Sequence, residues 1–255
     1  MPAAPQASRS PSRRTVDQRP AKGKDHSMSR IVIVGGHGKV ALLLAPILAA
    51  RGDDVVALIR DPAQSADVAA AGAVPKVLSV EEASTEDLAG AFAGADAIVW
   101  TAGAGGKGGP GRTDAIDRAA AIRSMDAASR AGVRRYVMVS WVGSHGDDPL
   151  PANHPLRNYA LAKLAADRHL VETDLEWTIV GPGTLTLEEP SGKIDVRRQN
   201  GQGDSLYTSR GNVAAVAAAV LAEPASIGKV IPFGDGATPI AQAVESVPAE
   251  FSDLS

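Results

Sequence analysis

Tyr159 and Lys163 stand four residues apart in a chain of 255, and their types and spacing could do chemistry. On a helix this spacing puts both on one face. A free tyrosine has a pKa of about 10 and carries protons poorly at neutral pH. A lysine cation beside it favours the phenolate and lowers that value, and the same lysine can hydrogen-bond a ribose hydroxyl. Ser140 ends the apolar run Tyr136–Val139 and can orient a carbonyl or hydroxyl group. The three together suit general acid–base catalysis beside a hydride carrier. The plainer alternative makes Tyr159 a packing residue of an amphipathic helix and Lys163 a surface charge. The spacing alone leaves both open.

A hydride carrier needs a seat. The segment Ile33-Val34-Gly35-Gly36-His37-Gly38-Lys39-Val40-Ala41 lies between the first apolar run and the first helical pattern. Small residues there permit a tight turn and let the backbone approach a pyrophosphate. The N–H groups at the start of the following helix then hold the anion. The next apolar run ends at Arg60, whose guanidinium would pair with the 2′-phosphate of NADP. Asp61 follows and could instead serve the 2′-hydroxyl of NAD, so NADP is the expected cofactor with NAD possible.

These residues have to be positioned by a repeating pattern. Strands are expected over Arg30–Val34, Asp54–Arg60, Val74–Ser79, Ala95–Ala102, Arg134–Trp141, Leu175–Val180 and Lys229–Phe233. Helices are expected between them, over Lys39–Arg51, Pro62–Ala71, Thr85–Ala93, Thr113–Ala131, Leu156–Glu172 and Gly211–Ala222. Pro46 should kink the first helix or mark a local irregularity in it. Gly103–Gly111 reads as a glycine-rich loop, either a flap over substrate or a permissive linker. Residues 181–207 read as irregular, with one short strand over Lys193–Val196, and as the small substrate-side insertion. Alternating strands and helices argue for an α/β fold: a doubly wound parallel sheet, or Rossmann fold, in a single domain over residues 29–255.

Composition removes several classes of function. There is no cysteine, which excludes disulfides, thiol catalysis and cysteine-ligated metal; five scattered histidines give a metal site little support. A formal charge of −3 favours neither nucleic acid nor anionic membrane as a partner. Residues 1–28 read as a disordered leader or upstream extension. Arg13-Arg14 is not followed by the apolar stretch that an export signal needs, so a cytoplasmic location is expected. His145, His154 and Asp147-Asp148 read as surface residues, and Trp100 and Trp141 as core or pocket walls.

Together these motifs resemble the short-chain dehydrogenase/reductase superfamily, and in particular its atypical NAD(P)H-binding branch, sugar-epimerase-like or NmrA-like. The resemblance runs from Arg30 to about Val244. It rests on the glycine turn, on Val56–Arg60, on Asp96–Gly103 and on Tyr136–Ser140. It continues through Tyr159–Lys163, Thr178–Gly183 and Thr238-Pro239-Ile240. The resemblance implies that Gly35, Gly36, His37, Gly38, Lys39 and Val40 line the diphosphate and Arg60 the adenosine ribose. Thr101, Ala102 and Gly103 would stand by the second ribose. Val180, Gly181, Pro182 and Gly183 would border the nicotinamide. Gly181 stands where many members carry an arginine, and Asn212 where many carry an acid. The expected function is an NAD(P)-dependent oxidoreductase or epimerase-like enzyme acting on a CH–OH or carbonyl group of an unidentified small molecule, as a monomer or homodimer. The alternatives are a non-catalytic NADP(H) sensor and a flavin or quinone reductase.

Overall fold

The computed structural model describes residues 28–105, 108–143, 150–197, 206–248 and 252. The leader up to residue 27, His145 and Asp147-Asp148 lie outside them. The first half of the chain alternates β1 (Arg30–Val34), α1 (Lys39–Ala50), β2 (Asp54–Ile59), α2 (Ser65–Ala70), β3 (Val74–Val77), α3 (Thr85–Phe92) and β4 (Ala97–Trp100). A helical arm follows, made of α4 (Gly109–Thr113), a π-helical segment Asp114–Ala120 and α5 (Ala121–Arg130). Then come β5 (Arg135–Val139), α6 (Arg157–Val171), β6 (Glu176–Pro182), β7 (Thr184–Thr186), β8 (Lys193–Val196), β9 (Tyr207–Ser209), α7 (Arg210–Ala222), β10 (Lys229–Asp235), β11 (Thr238–Pro239) and α8 (Ile240–Glu245).

Nine strands form one sheet in the order β11-β8-β10-β6-β5-β4-β1-β2-β3. The run from β10 to β3 is parallel, while β8 and β11 close the far edge in antiparallel pairing. Strands buried on both faces explain the unbroken apolar runs of the sequence. Ile31 and Ile33 of β1 pack with Leu44, Leu48, Val213 and Phe233 on one face. Val32 and Val34 pack with Phe92, Trp100, Met125 and Tyr136 on the other. The architecture is therefore the expected α/β doubly wound sheet, in one domain. Among the described residues no helix is long and apolar enough to cross a membrane.

The helix α1 runs through Pro46 as a single element. Pro46 is exposed, so solvent can satisfy the carbonyl that lost its partner. The glycine-rich stretch is shorter than its composition suggests: Gly109, Pro110 and Gly111 already form the first turn of α4, where a proline needs no N–H partner. Among residues 181–207, those described are also more ordered than expected. Beside the expected β8, they contain β7 and the first residue of β9, which pair in parallel as a two-stranded sheet.

The departure at Asn212 has a structural reason. Asn212 is fully buried, and its amide donates to Asp235 Oδ1 (2.7 Å), Ser191 Oγ (3.1 Å) and the Lys193 carbonyl (3.1 Å). Its own oxygen accepts from the Gly192 N–H at 2.9 Å. The acid of this network is Asp235, so a second carboxylate at 212 would face it without a proton between them.

Candidate functional site

The connections from β1 and β4 leave on opposite faces of the sheet, so the strand order reverses between them and opens a crevice at their carboxyl ends. The glycine turn fills one side of it. Gly35 has φ +84°, and a Cβ there would lie 2.7 Å from the Ala102 Cα and N. A Cβ on Gly36 would lie 2.5 Å from that of Ala57. The Gly36 N–H donates to the Leu58 carbonyl and that of Gly38 to the Gly35 carbonyl, both at 2.8 Å. These two glycines therefore shape the turn. The first turn of α1, at Lys39 and Val40, presents N–H groups that a helix leaves without internal acceptors. Gly38 caps that helix and has no side chain to bond those groups.

A cleft of about 250 Å³ opens beside the turn, lined by Gly35, His37, Gly38, Arg60, Thr101, Ala102 and Gly103 among others. It is large enough for part of a dinucleotide rather than the whole. His37 is held at the rim by a 2.8 Å contact with Asp67. Arg60 is exposed and makes no ion pair among the described residues. Asp61 turns its carboxylate to the Ala63 N–H (2.9 Å), capping a 3₁₀ turn at Pro62–Gln64. Of the two candidates for the ribose, the arginine lines the cleft and the acid is engaged elsewhere. A dinucleotide fits this donor set: glycines where a Cβ would collide, helix N–H groups and a cation at the end of β2.

Tyr159, Lys163 and Ser140 gather at the end of β5, outside the lining of that cleft. Lys163 is 2% exposed and donates to the Val139 carbonyl at 3.0 Å, with its ammonium 3.7 Å from the Met138 sulfur. Ser140 donates its hydroxyl hydrogen to the fully buried Asp167. The ring of Tyr159 meets that of Trp141 edge to face, with centroids 6.0 Å apart. Two acids that sequence reasoning missed complete the cluster. Asp167 lies four residues past Lys163, so Tyr159, Lys163 and Asp167 form one stripe along α6. Asp117, 1% exposed, comes from the π-helical segment and accepts the Ala104 N–H at 3.1 Å. Burial raises its carboxyl above the ordinary aspartate value, while the Lys163 cation and the Ala104 N–H pull the other way. The i, i+4 spacing could have exposed Asp167. Asp117 left no such signal, because a π segment is written in ordinary helix-forming residues.

These acids reverse the expected tuning of the tyrosine. Burial pushes the Tyr159 phenol up, and the Asp117 and Asp167 charges push it the same way. Lys163 is turned to the Val139 carbonyl. The fully buried Tyr136, bonded to Ser124 Oγ at 2.6 Å, is also raised by burial. In an ultraviolet titration of the cofactor-free protein, at least two of the three tyrosines should therefore remain un-ionised at about pH 11 until the fold is lost. Ionisation of all three below that pH in folded protein would contradict this electrostatic picture.

Val180, Gly181, Pro182 and Gly183 are placed by pairing rather than by the cleft. Val180 and Pro182 accept the N–H groups of Ser140 and Val142, each at 2.9 Å. The Gly183 N–H goes to the Phe233 carbonyl (2.9 Å), and a Cβ on Gly183 would fall 2.1 Å from the Leu206 carbonyl. A Cβ on Gly181 would lie 3.0 Å from the Trp141 carbonyl. Packing alone thus accounts for both glycines. Their segment nevertheless runs beside Ser140, on the cluster side of the crevice.

Similarity to known proteins agrees with this geometry. A model of the NAD(P)H-binding family matches residues 35–224. A Bacillus subtilis protein named as an uncharacterized sugar epimerase is 32% identical over 219 residues, which span 86% of this chain and 100% of the relative. The structure of a Bacillus halodurans protein assigned to the NAD-dependent epimerases/dehydratases is 36% identical with a TM-score of 0.79, covering 86% of this chain and 100% of that one. An oxidoreductase structure from Lactococcus lactis is 30% identical, with a TM-score of 0.74 and coverage of 86% and 96%. From the cradle, the cleft and these similarities, the chain belongs to the NAD(P)H-binding family, in the epimerase-like atypical branch of the short-chain dehydrogenases/reductases.

Proposed function

We propose that the protein is an NADP(H)-dependent oxidoreductase or epimerase-like enzyme that acts on a CH–OH or carbonyl group of a small cytoplasmic molecule. The observation that carries the cofactor choice is Arg60 lining the cleft while Asp61 is tied to a turn. The first turn of α1 would hold the diphosphate. Thr101, Ala102 and Gly103 form the wall leading from the cleft towards the Tyr159 cluster. When bound, the nicotinamide supplies or accepts the hydride.

In the reductive direction Tyr159 gives its phenolic proton to the carbonyl oxygen as the carbonyl carbon takes up hydride, leaving an alcohol. The buried carboxylates keep that proton on Tyr159 until substrate arrives. Lys163 supplies the cation that balances the phenolate once the proton has left. Ser140, with its hydrogen committed to Asp167, can accept a hydrogen bond from a hydroxyl group of the substrate or of the alcohol product. The epimerase and oxidoreductase names of the relatives fit this chemistry.

Two measurements test the reading. Calorimetry should show NADPH binding tighter than NADH, and Arg60→Ala should remove about tenfold of NADPH affinity while leaving NADH within twofold. Turnover of small carbonyl compounds and nucleotide sugars should fall at least about a hundredfold in Tyr159→Phe. Equal rates in both proteins would remove Tyr159 from the mechanism. One observation favours a second reading, an NADP(H)-binding sensor without chemistry: Ser140 and Lys163 are both engaged by the chain itself. Cofactor binding without turnover across that panel, together with cofactor-dependent capture of a protein partner, is the result expected of a sensor.

A further inference from the structure

The end of the cleft away from the glycine turn is built from side chains outside the motifs that signal the cofactor. There the lining is Leu78, Val80 and Ile116, an apolar slot suited to a flat ring rather than a phosphate. Its edge is crossed by an ion pair. Arg112 of α4 donates from Nε to Glu81 Oε2 at 3.2 Å, and both residues line the cleft. The pair therefore links the loop after β3 to the helical arm after β4.

Both ends of this link are anchored. Gly108 has φ +86°, and a Cβ there would lie 2.5 Å from Arg112 Cδ, so the arginine stem crosses the chain where only glycine leaves room. Across the slot, Arg123 of α5 donates to the carbonyls of Val80 (3.0 Å), Glu81 (3.3 Å) and Ala83 (3.2 Å), fixing the loop that carries Glu81. A guanidinium held this way presents a planar face, and planar guanidinium stacks on aromatic rings.

We infer that Arg112 is a further cofactor-binding residue, held by Glu81 as a strap across the slot so that its guanidinium covers the purine ring of the dinucleotide. The inference rests on the NADP(H) reading and adds to it a division of labour. Arg60 reads the ribose phosphate, and Arg112 holds the base. A purine enters and leaves from the open side, against Leu78, Val80 and Ile116, and the stacked guanidinium holds it once seated. The strap should therefore act mainly on dissociation, and on any ligand that carries adenosine.

The test compares wild type, Arg112→Ala and Arg112→Lys for binding of NADPH, NADH and reduced nicotinamide mononucleotide, with stopped-flow dissociation rates. Arg112→Ala should weaken NADPH and NADH alike, by about five- to tenfold and chiefly through faster release. The mononucleotide, lacking adenosine, should bind as to wild type. Arg112→Lys keeps the charge and can still pair with Glu81 but lacks the plane, so it should recover less than half of the loss. Dinucleotide affinity within twofold of wild type in Arg112→Ala, or full recovery in Arg112→Lys, would overturn the strap. So would an equal loss for the mononucleotide. If wild type binds no dinucleotide, the cofactor reading itself falls; if wild type binds and Arg60→Ala responds while Arg112→Ala does not, the strap alone falls.

Discussion

Gly35→Ala is expected to abolish measurable NADPH binding and to lower the melting temperature sharply, while Gly52→Ala leaves binding intact. Both glycines have a left-handed backbone, with φ +84° and +91°. That conformation costs a residue with a Cβ about 1–2 kcal/mol wherever it occurs. The two sites differ in what surrounds them. Nothing lies within 4 Å of a Cβ on Gly52, whereas one on Gly35 meets the Ala102 Cα and N at 2.7 Å and the Ala102 Cβ at 2.9 Å. Relief requires β1 and the segment after β4 to separate, and that segment carries Thr101, Ala102 and Gly103 along the cleft. Thr101 is itself bonded to β1, through its N–H and its hydroxyl to the Val34 carbonyl, each at 2.9 Å. The separation would therefore strain pairing as well as widen the cleft. Overpacking of this kind adds about 1–3 kcal/mol to the backbone cost. Calorimetry and thermal melts on both variants read the two effects separately. Equal losses at the two positions would show that backbone conformation, and not the close approach to Ala102, makes Gly35 necessary.

The same contrast marks what a sequence can reveal. Glycine at 35, 36 and 38 after a β-branched run is legible because position in a βα unit gives the pattern meaning. The parallel sheet is legible for a similar reason: strands buried on both faces leave apolar runs that need no partner to be recognised. Tyr159 and Lys163 are legible as a pair, since helical spacing puts them on one face. What that face meets is not. Asp117 reaches the cluster from 42 residues earlier in the chain through a π-helical turn, and a π turn has no distinctive composition. The reversal in the environment of Tyr159 follows from that blind spot, because the expectation counted one lysine and no acids. Asp167 shows the opposite failure. Its spacing was visible, yet an aspartate on a helix is by default a solvated charge, and only the packing of α6 against β5 buries it beside Ser140.

Removing the positive charge from this cluster should have the second large effect. Lys163→Met should destabilise the fold by about 3–5 kcal/mol at neutral pH, because it strips the buried Asp117 carboxylate of its compensating charge. The loss should depend on pH in a definite direction. Asp117 already has its carboxyl raised by burial, and Lys163 opposes that rise. Without the lysine the folded-state value climbs further above the ordinary 3.8, while the unfolded value stays where it was. An acid raised in the folded state stabilises the fold relative to its ionised form only while it holds its proton. Stability is thus lost as pH rises from the unfolded value through the folded one. Lys163→Met should stand closest to wild type at about pH 5 and farthest from it at about pH 8, as read by urea unfolding. Adding Asp117→Asn to Lys163→Met removes the stranded charge and keeps an acceptor for the Ala104 N–H, so it should restore much of the stability and flatten the profile. A double mutant no more stable than Lys163→Met would mean that the lysine is held for its packing and its bond to Val139. In that case the charge pairing across the cluster would not be what keeps Lys163 inside the protein.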